Sequence, residues 1–221
     1  MKVLVYVEGP ADRAALDKLL DPIVSEGRSQ GVGIRLVPLN GKSHVLNDSP
    51  RKAADHLADH PDDWVFALPD LYPMSVYDGT PNAHRSFTEL EQLLVNRFLA
   101  RANKVGVKDA ARARFRVHCL KYDLEVLLLA ASDALRQRLG TKEALRGRWR
   151  NPVEDQNDQA PPKRVIEQLF EKYQGRKYID TTDAAWILGR ASLEAVIAAC
   201  PQRFAPFAAE LREIVRARSL P

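Results

Sequence analysis

Three carboxylates stand at or just past the ends of runs that read as strands. Glu8 closes the run Lys2 to Val7, Asp70 follows the apolar run Trp64 to Leu68, and Glu125 lies just beyond Phe115 to Leu120. In open α/β sheets, ligands gather at the carboxyl ends of strands near a topological switch point. Carboxylates held close together repel unless a cation lies between them. Mg2+ or Mn2+ uses such oxygen ligands and completes its shell with water and substrate phosphates. A cation so placed polarises a phosphodiester and activates water. Each acid also has a plainer role. Glu8 suits the N-terminus of a following helix, Asp70 a turn before a proline-containing loop, and Glu125 the wet face of an amphipathic helix.

Several cations are candidates for holding phosphate. Asn40-Gly41-Lys42-Ser43 follows a strand-like run, but a P-loop would need glycine at position 36, which is Leu36. The motif fails on spacing, while Lys42 and Ser43 still stand where a phosphate could be touched. Arg146, Arg148 and Arg150 interleave with Trp149, an arrangement that offers either a stacking surface for a base or a buried indole flanked by solvated cations. Lys163 and Arg164 open a helix, where the dipole disfavours cations and an anionic partner would account for them.

The bulk numbers frame these candidates. The chain has 221 residues, 45% hydrophobic and 28% charged, in the range of a packed globular protein. Its net charge of +4 identifies no partner. Residues 101–150, however, hold 13 Lys or Arg against 5 Asp or Glu. A basic segment of this kind suits a phosphate-rich partner through counterion release, and equally suits solvated helices with long basic side chains. Cys119 and Cys200 stand alone, with no zinc-ligand spacing and no sign of a disulfide framework. His56 and His60 share a helix face without the glutamate or third ligand of a zinc site. No apolar run approaches the ~20 residues of a membrane span, and Met1-Lys2 leads straight into a strand, so a cytoplasmic protein is expected.

Elements that would position these residues alternate along the first half. Strands are expected at 2–7, 33–39, 64–68 and 115–120. Helices are expected at 12–20, from Ser49-Pro50 to about 60, at 86–103 and at 126–139, with Ser49 as N-cap and Pro50 at the first helical position. This rhythm predicts an α/β fold with a mostly parallel sheet of about four strands flanked by helices. After about residue 121 no strand is expected. A polar stretch, 151–162, reads as a loop, followed by helices at 163–173, 180–189, 192–200 and 206–218. The division expected is an α/β core, 1–140, with a helical extension, 141–221.

Val7-Glu8-Gly9 after the first strand, with Asp70-Leu71-Tyr72 after a later apolar strand, resembles the TOPRIM core of topoisomerases, primases and overcoming-lysogenization-defect nucleases. With Pro73-Met74, Tyr122-Asp123-Leu124-Glu125-Val126-Leu127-Leu128 and Ala160-Pro161-Pro162-Lys163-Arg164, most of the chain resembles an uncharacterised bacterial TOPRIM-like domain-of-unknown-function family often linked with ATPases. The resemblance implies that Glu8, Asp70 and Glu125 bind Mg2+ or Mn2+, with Gly9 in the acidic turn. It also implies nucleic acid, RNA or DNA, as substrate and an AAA- or ABC-type ATPase as partner, in a setting such as anti-phage defence. Two positions depart from the pattern: Tyr72 replaces the second acid of Asp-x-Asp, and Tyr122 replaces a histidine. The expected function is a metal-dependent nuclease. The alternatives are a degenerate module that binds nucleic acid or an ATPase without cleaving, and a nucleotide hydrolase.

Overall fold

Four strands form one all-parallel sheet in a computed structural model that describes residues 1–145, 147–157 and 160–218. The strands are β1 (Lys2–Val7), β2 (Gly33–Pro38), β3 (Trp64–Ala67) and β4 (Phe115–Val117), in the order β2-β1-β3-β4. From β1 the chain crosses to β2 on one side, then returns to place β3 on the other. The switch point therefore lies between β1 and β3.

Helices cover both faces, because successive side chains of a buried strand point to opposite sides. On one face Val3, Val5, Val7 and Phe66 share a core with α1 (Pro10–Leu19), α2 (Asp21–Ser29), α6 (Glu125–Ala130), α7 (Ser132–Leu139), α8 (Pro162–Gln174), α9 (Ala185–Leu188), α10 (Leu193–Ala199) and α11 (Phe204–Ala217). On the other face Tyr6, Val65, Ala67, Phe115 and Val117 pack against α3 (Lys42–Asp59), α4 (Phe87–Val105) and α5 (Asp109–Arg112). Ile166, Phe170, Phe204, Phe207 and Leu211 therefore complete the same core as the central strand. Cys119 and Cys200 are free and buried. Among the described residues no helix is long and apolar enough to cross a membrane.

Several elements differ from the sequence expectation, among them β4, which ends at Val117 rather than 120, and α5, where no helix is expected. The helix expected to open at Ser49-Pro50 begins at Lys42 and carries Pro50 in its interior. Proline there leaves the carbonyl four residues earlier without its usual donor. That carbonyl, Leu46 O, instead accepts from Arg97 Nη1 of α4 at 3.0 Å, while Ser49 Oγ donates to Val45 O at 2.6 Å. Arg97 also holds Asn82 Oδ1 and Pro81 O, both at 2.7 Å, tying the 72–85 loop to α3. The apolar stretch expected as one helix to Leu139 breaks at Ala131 (ψ 43°), where α7 starts afresh with Asp133 in its first turn. Helix α2, which opens Asp21-Pro22, has only Ile23 and Gly27 buried, too few for its period to show. Arg97→Ala is expected to lower unfolding free energy in urea by about 2 kcal/mol, since it strands a buried carbonyl. A cost below about 0.5 kcal/mol, the level of an ordinary surface change, would refute that role.

Candidate functional site

Register brings the first two acids together. Strand β1 lies between β2 and β3, with Tyr6 opposite Ala67, so residues just past Val7 meet residues just past Leu68. Glu8 Oε1 accepts the backbone N–H of Asp70 at 2.9 Å. The Glu8 main-chain carbonyl accepts Gly41 N–H at 2.7 Å, so this one residue joins the ends of three strands. Gly9 donates its N–H to Asp12 Oδ2 at 2.7 Å, which turns Asp12 of α1 back toward Glu8. Lys42, first residue of α3, donates from Nζ to Leu71 O at 2.9 Å and Pro73 O at 3.4 Å, with the Glu8 and Asp70 charges close by. Ser43 turns away and shares a hydrogen bond with the Tyr77 hydroxyl, 3.2 Å.

Asp123 and Glu125 extend the acidic group along the end of β4. Asp123 lines a cleft of about 510 Å³ together with Asp70, Tyr72, Tyr122, Lys163 and Arg164. Its Oδ1 is buried and has no hydrogen-bond partner among the described residues. Glu125, 3% exposed, lies behind it, with Lys163, Tyr178 and Asp12 as electrostatic neighbours. The buried Tyr178 hydroxyl lies beside Glu125 but outside full hydrogen-bond geometry.

All five carboxyls are harder to ionise than usual, and in each case burial is the main cause. Glu8 is pushed up to about 7, with Asp12 adding to burial and the Asp70 amide and Lys42 opposing it. Asp70 stands well above the usual range, because Glu8, Asp12 and Asp123 add repulsion to burial. Asp123 is raised to about 7 by burial and then by Glu125. Asp12 and Glu125 are raised by burial, with Lys163 opposing in both. Burial likewise lowers Lys42, against the pull of Glu8 and Asp70. Among the described residues, Lys42 and Lys163 are the cations that oppose these five acids, so the group is short of positive charge.

Such an all-oxygen donor set suits a hard divalent cation. Among the described residues no three His, Cys, Asp or Glu side chains converge as a ready ligand cage. Glu8 and Asp70 offer two acids at one strand edge, fewer than a full cage, and suit a cation that keeps several waters and takes further oxygens from a phosphate.

The phosphate candidates separate. Lys163 and Arg164, at the start of α8, line the cleft. Arg148 instead pairs with Glu143 and donates to Tyr173 Oη at 3.2 Å on an exposed surface. The backbone N–H of Arg150 bonds Gln156 Oε1 at 2.9 Å, and Trp149 packs against the core. Arg146 lies outside the described residues. Sequence reasoning passed over Asp12 and Asp123. Their signals were the acid three residues after Gly9 and the Asp-x-Glu spacing of Asp123 and Glu125.

Fold and site together define an α/β protein with an acidic, cation-poor site at the switch point of a parallel sheet. The chain belongs to the family described as a domain of unknown function, DUF4276, whose model matches residues 7–212. Among solved structures it is similar to the C-terminal region of the Burkholderia pseudomallei OLD protein, with 16% identity, 96% of this chain and 98% of that chain covered, and a TM-score of 0.48. It is also similar to the C-terminal region of the Xanthomonas campestris pv. campestris OLD protein, with 14% identity, 98% and 97% covered, and a TM-score of 0.47. No curated protein matches it in sequence.

Proposed function

We propose that this chain is a metal-dependent nuclease of TOPRIM type whose site is centred on Glu8 and Asp70. The carrying observation is the contact of Glu8 Oε1 with the Asp70 amide, which joins two acidic strand-end residues near the switch point. Glu8 and Asp70 would hold Mg2+ or Mn2+, with Asp123 or Glu125 behind them. When bound, the cation polarises a phosphodiester and supplies an activated water. Lys42, fixed by the carbonyls of Leu71 and Pro73, offsets the charge of the acids. Lys163 and Arg164 face the same cleft and would neutralise the phosphates of a strand lying along it. The motif resemblance supports the same reading and adds an AAA- or ABC-type ATPase as the expected partner, in a defence setting.

A second reading has its own observation. Tyr72 occupies the place of an acid, and no three-carboxylate cage exists among the described residues, which favours a module that binds nucleic acid or the ATPase without cutting. Incubation of mixed RNA and DNA with Mg2+, Mn2+ or EDTA separates the two. The nuclease reading expects metal-dependent cleavage, reduced at least about 100-fold in Glu8→Gln, the scale of a lost electrostatic stabiliser. Wild type that is inert with every metal, alone and with an ATPase partner added, leaves the binding module.

A further inference from the structure

Tyr72 and Tyr122, the two departures from the family pattern, form one feature. Asp70 bridges Leu120 in parallel register, and Leu71 N–H and Tyr72 N–H bond Leu120 O and Lys121 O at 2.7 and 3.3 Å. Two residues beyond each bridge partner come Tyr72 and Tyr122. Their rings stack with centroids 4.9 Å apart and an interplanar angle of 28°. Tyr72 packs against the core beneath, and both rings line the cleft. The stacked pair lines the same cleft as Asp70 and so forms an aromatic wall beside that acid. Lys163 and Arg164 line the same cleft, both exposed at its mouth, and Arg164 forms no side-chain hydrogen bond or ion pair among the described residues.

We infer that this wall is a stacking platform for one unpaired nucleobase, so that the site takes single-stranded nucleic acid. The inference rests on the nucleic-acid reading of the site and narrows its substrate class. A base inside a duplex offers only its edges, because both of its faces are covered by neighbouring pairs. An aromatic face beside a phosphate-binding cation and an acidic centre is therefore usable only by a base that has left the stack. Stacking tolerates every base, so no sequence preference is expected from this contact.

The test is equilibrium binding of fluorescein-labelled strands of about 12 nucleotides, within the usual site sizes for single strands, measured by anisotropy in EDTA so that no strand is cut. Deoxy and ribo single strands, the matching duplex, and an abasic strand of equal length are compared. Wild type is expected to bind either single strand at least about 10-fold tighter than duplex or abasic strand, the scale of one stacked base. Tyr122→Ala is expected to lose about 10-fold on single strands only, and Tyr122→Phe to stay within about twofold of wild type. Circular dichroism and melting of each variant show that it is folded. Equal affinity of wild type for abasic and base-bearing strands would overturn the inference, as would equal binding of duplex, or Tyr122→Ala that binds like wild type. Single-strand binding that depends on Tyr122, in a protein that cuts nothing with any metal, would sink the nuclease reading and leave the platform standing.

Discussion

Asp70→Asn is expected to raise the melting temperature of the metal-free protein at pH 8 while removing divalent-metal-dependent cleavage. The reason is the environment of the carboxylate. Asp70 is held beside Glu8 and among further acids, with Lys42 the cation that opposes them, and its carboxyl is raised well above the usual range by burial and then by Glu8, Asp12 and Asp123. A carboxyl whose folded pKa exceeds its unfolded value binds its proton more tightly in the native state. Stability is then greatest below the unfolded pKa and declines as pH rises toward the folded one. For Glu8 that window runs from 4.5 to about 7, and for Asp123 from 3.8 to about 7. The metal-free protein should therefore melt lower at pH 8 than at pH 5.5. A neutral Asn at position 70 removes one charge from the group and should recover about 1–2 kcal/mol at pH 8, or about 2–8 °C for a chain of this size. Mn2+ at about 100 times its dissociation constant should add about 2.7 kcal/mol to wild type at pH 8, little at pH 5.5, and little to Asp70→Asn at either pH. Scanning calorimetry with and without metal measures all three. If metal-free Asp70→Asn melts below wild type at pH 8, the acids are not in conflict, and the case for a cation among them fails.

Glu154→Ala should be strongly destabilising although it lies away from the acidic site. Glu154 is 1% exposed and belongs to a short helical turn, Val153–Asp155. Its carboxylate accepts the backbone N–H groups of Gln202, Arg203 and Phe204 at 2.5, 2.8 and 3.1 Å, the donors left open where α11 begins. Beside it Lys121, just past β4, pairs with Asp155 and donates to Gln202 Oε1 at 2.8 Å. Alanine leaves three amides without their acceptor, that of Phe204 in the interior and those of Gln202 and Arg203 nearer the surface, at about 3 kcal/mol together. Glutamine keeps an acceptor oxygen and should lose roughly half as much. Urea denaturation of both variants decides the matter: a loss below about 0.5 kcal/mol for Glu154→Ala would mean that the carboxylate is dispensable.

Strand positions were legible because each combines β-branched or aromatic residues with a turn signal, and the acids sit at those junctions. Glu8 and Asp70 could be read as neighbours by anyone willing to assume a parallel sheet, since strand ends then share one edge. Other features depend on partners far along the chain. Nothing near Pro50 announces that Arg97 will satisfy Leu46, so proline looked like a helix start rather than a tolerated interior residue. The stretch 151–162 looked like a loop because its polarity hides Glu154, whose three donors lie on another element. Asp12 caps the helix that follows Gly9, and only the fold shows that this also turns it toward Glu8. Tyr72 and Tyr122 look like two separate losses until the Asp70–Leu120 bridge sets them face to face.

The parallel sheet also decides when these acids meet. Lys2 pairs with Gly33, Val3 with Trp64 and Val65 with Phe115, so every strand pairing closes a loop of roughly thirty residues or more and none is a local hairpin. Loops of that length place the protein among slower folders. If the strand ends close last, after the rate-limiting barrier, Glu8, Asp70 and Asp123 are brought near one another only at the end of folding. Interactions made that late leave the folding rate nearly untouched and act on the unfolding rate. In that order of events, mutual repulsion at the strand ends would shorten the lifetime of the native state without slowing its formation, and a cation seated among the acids would act as a brake on opening.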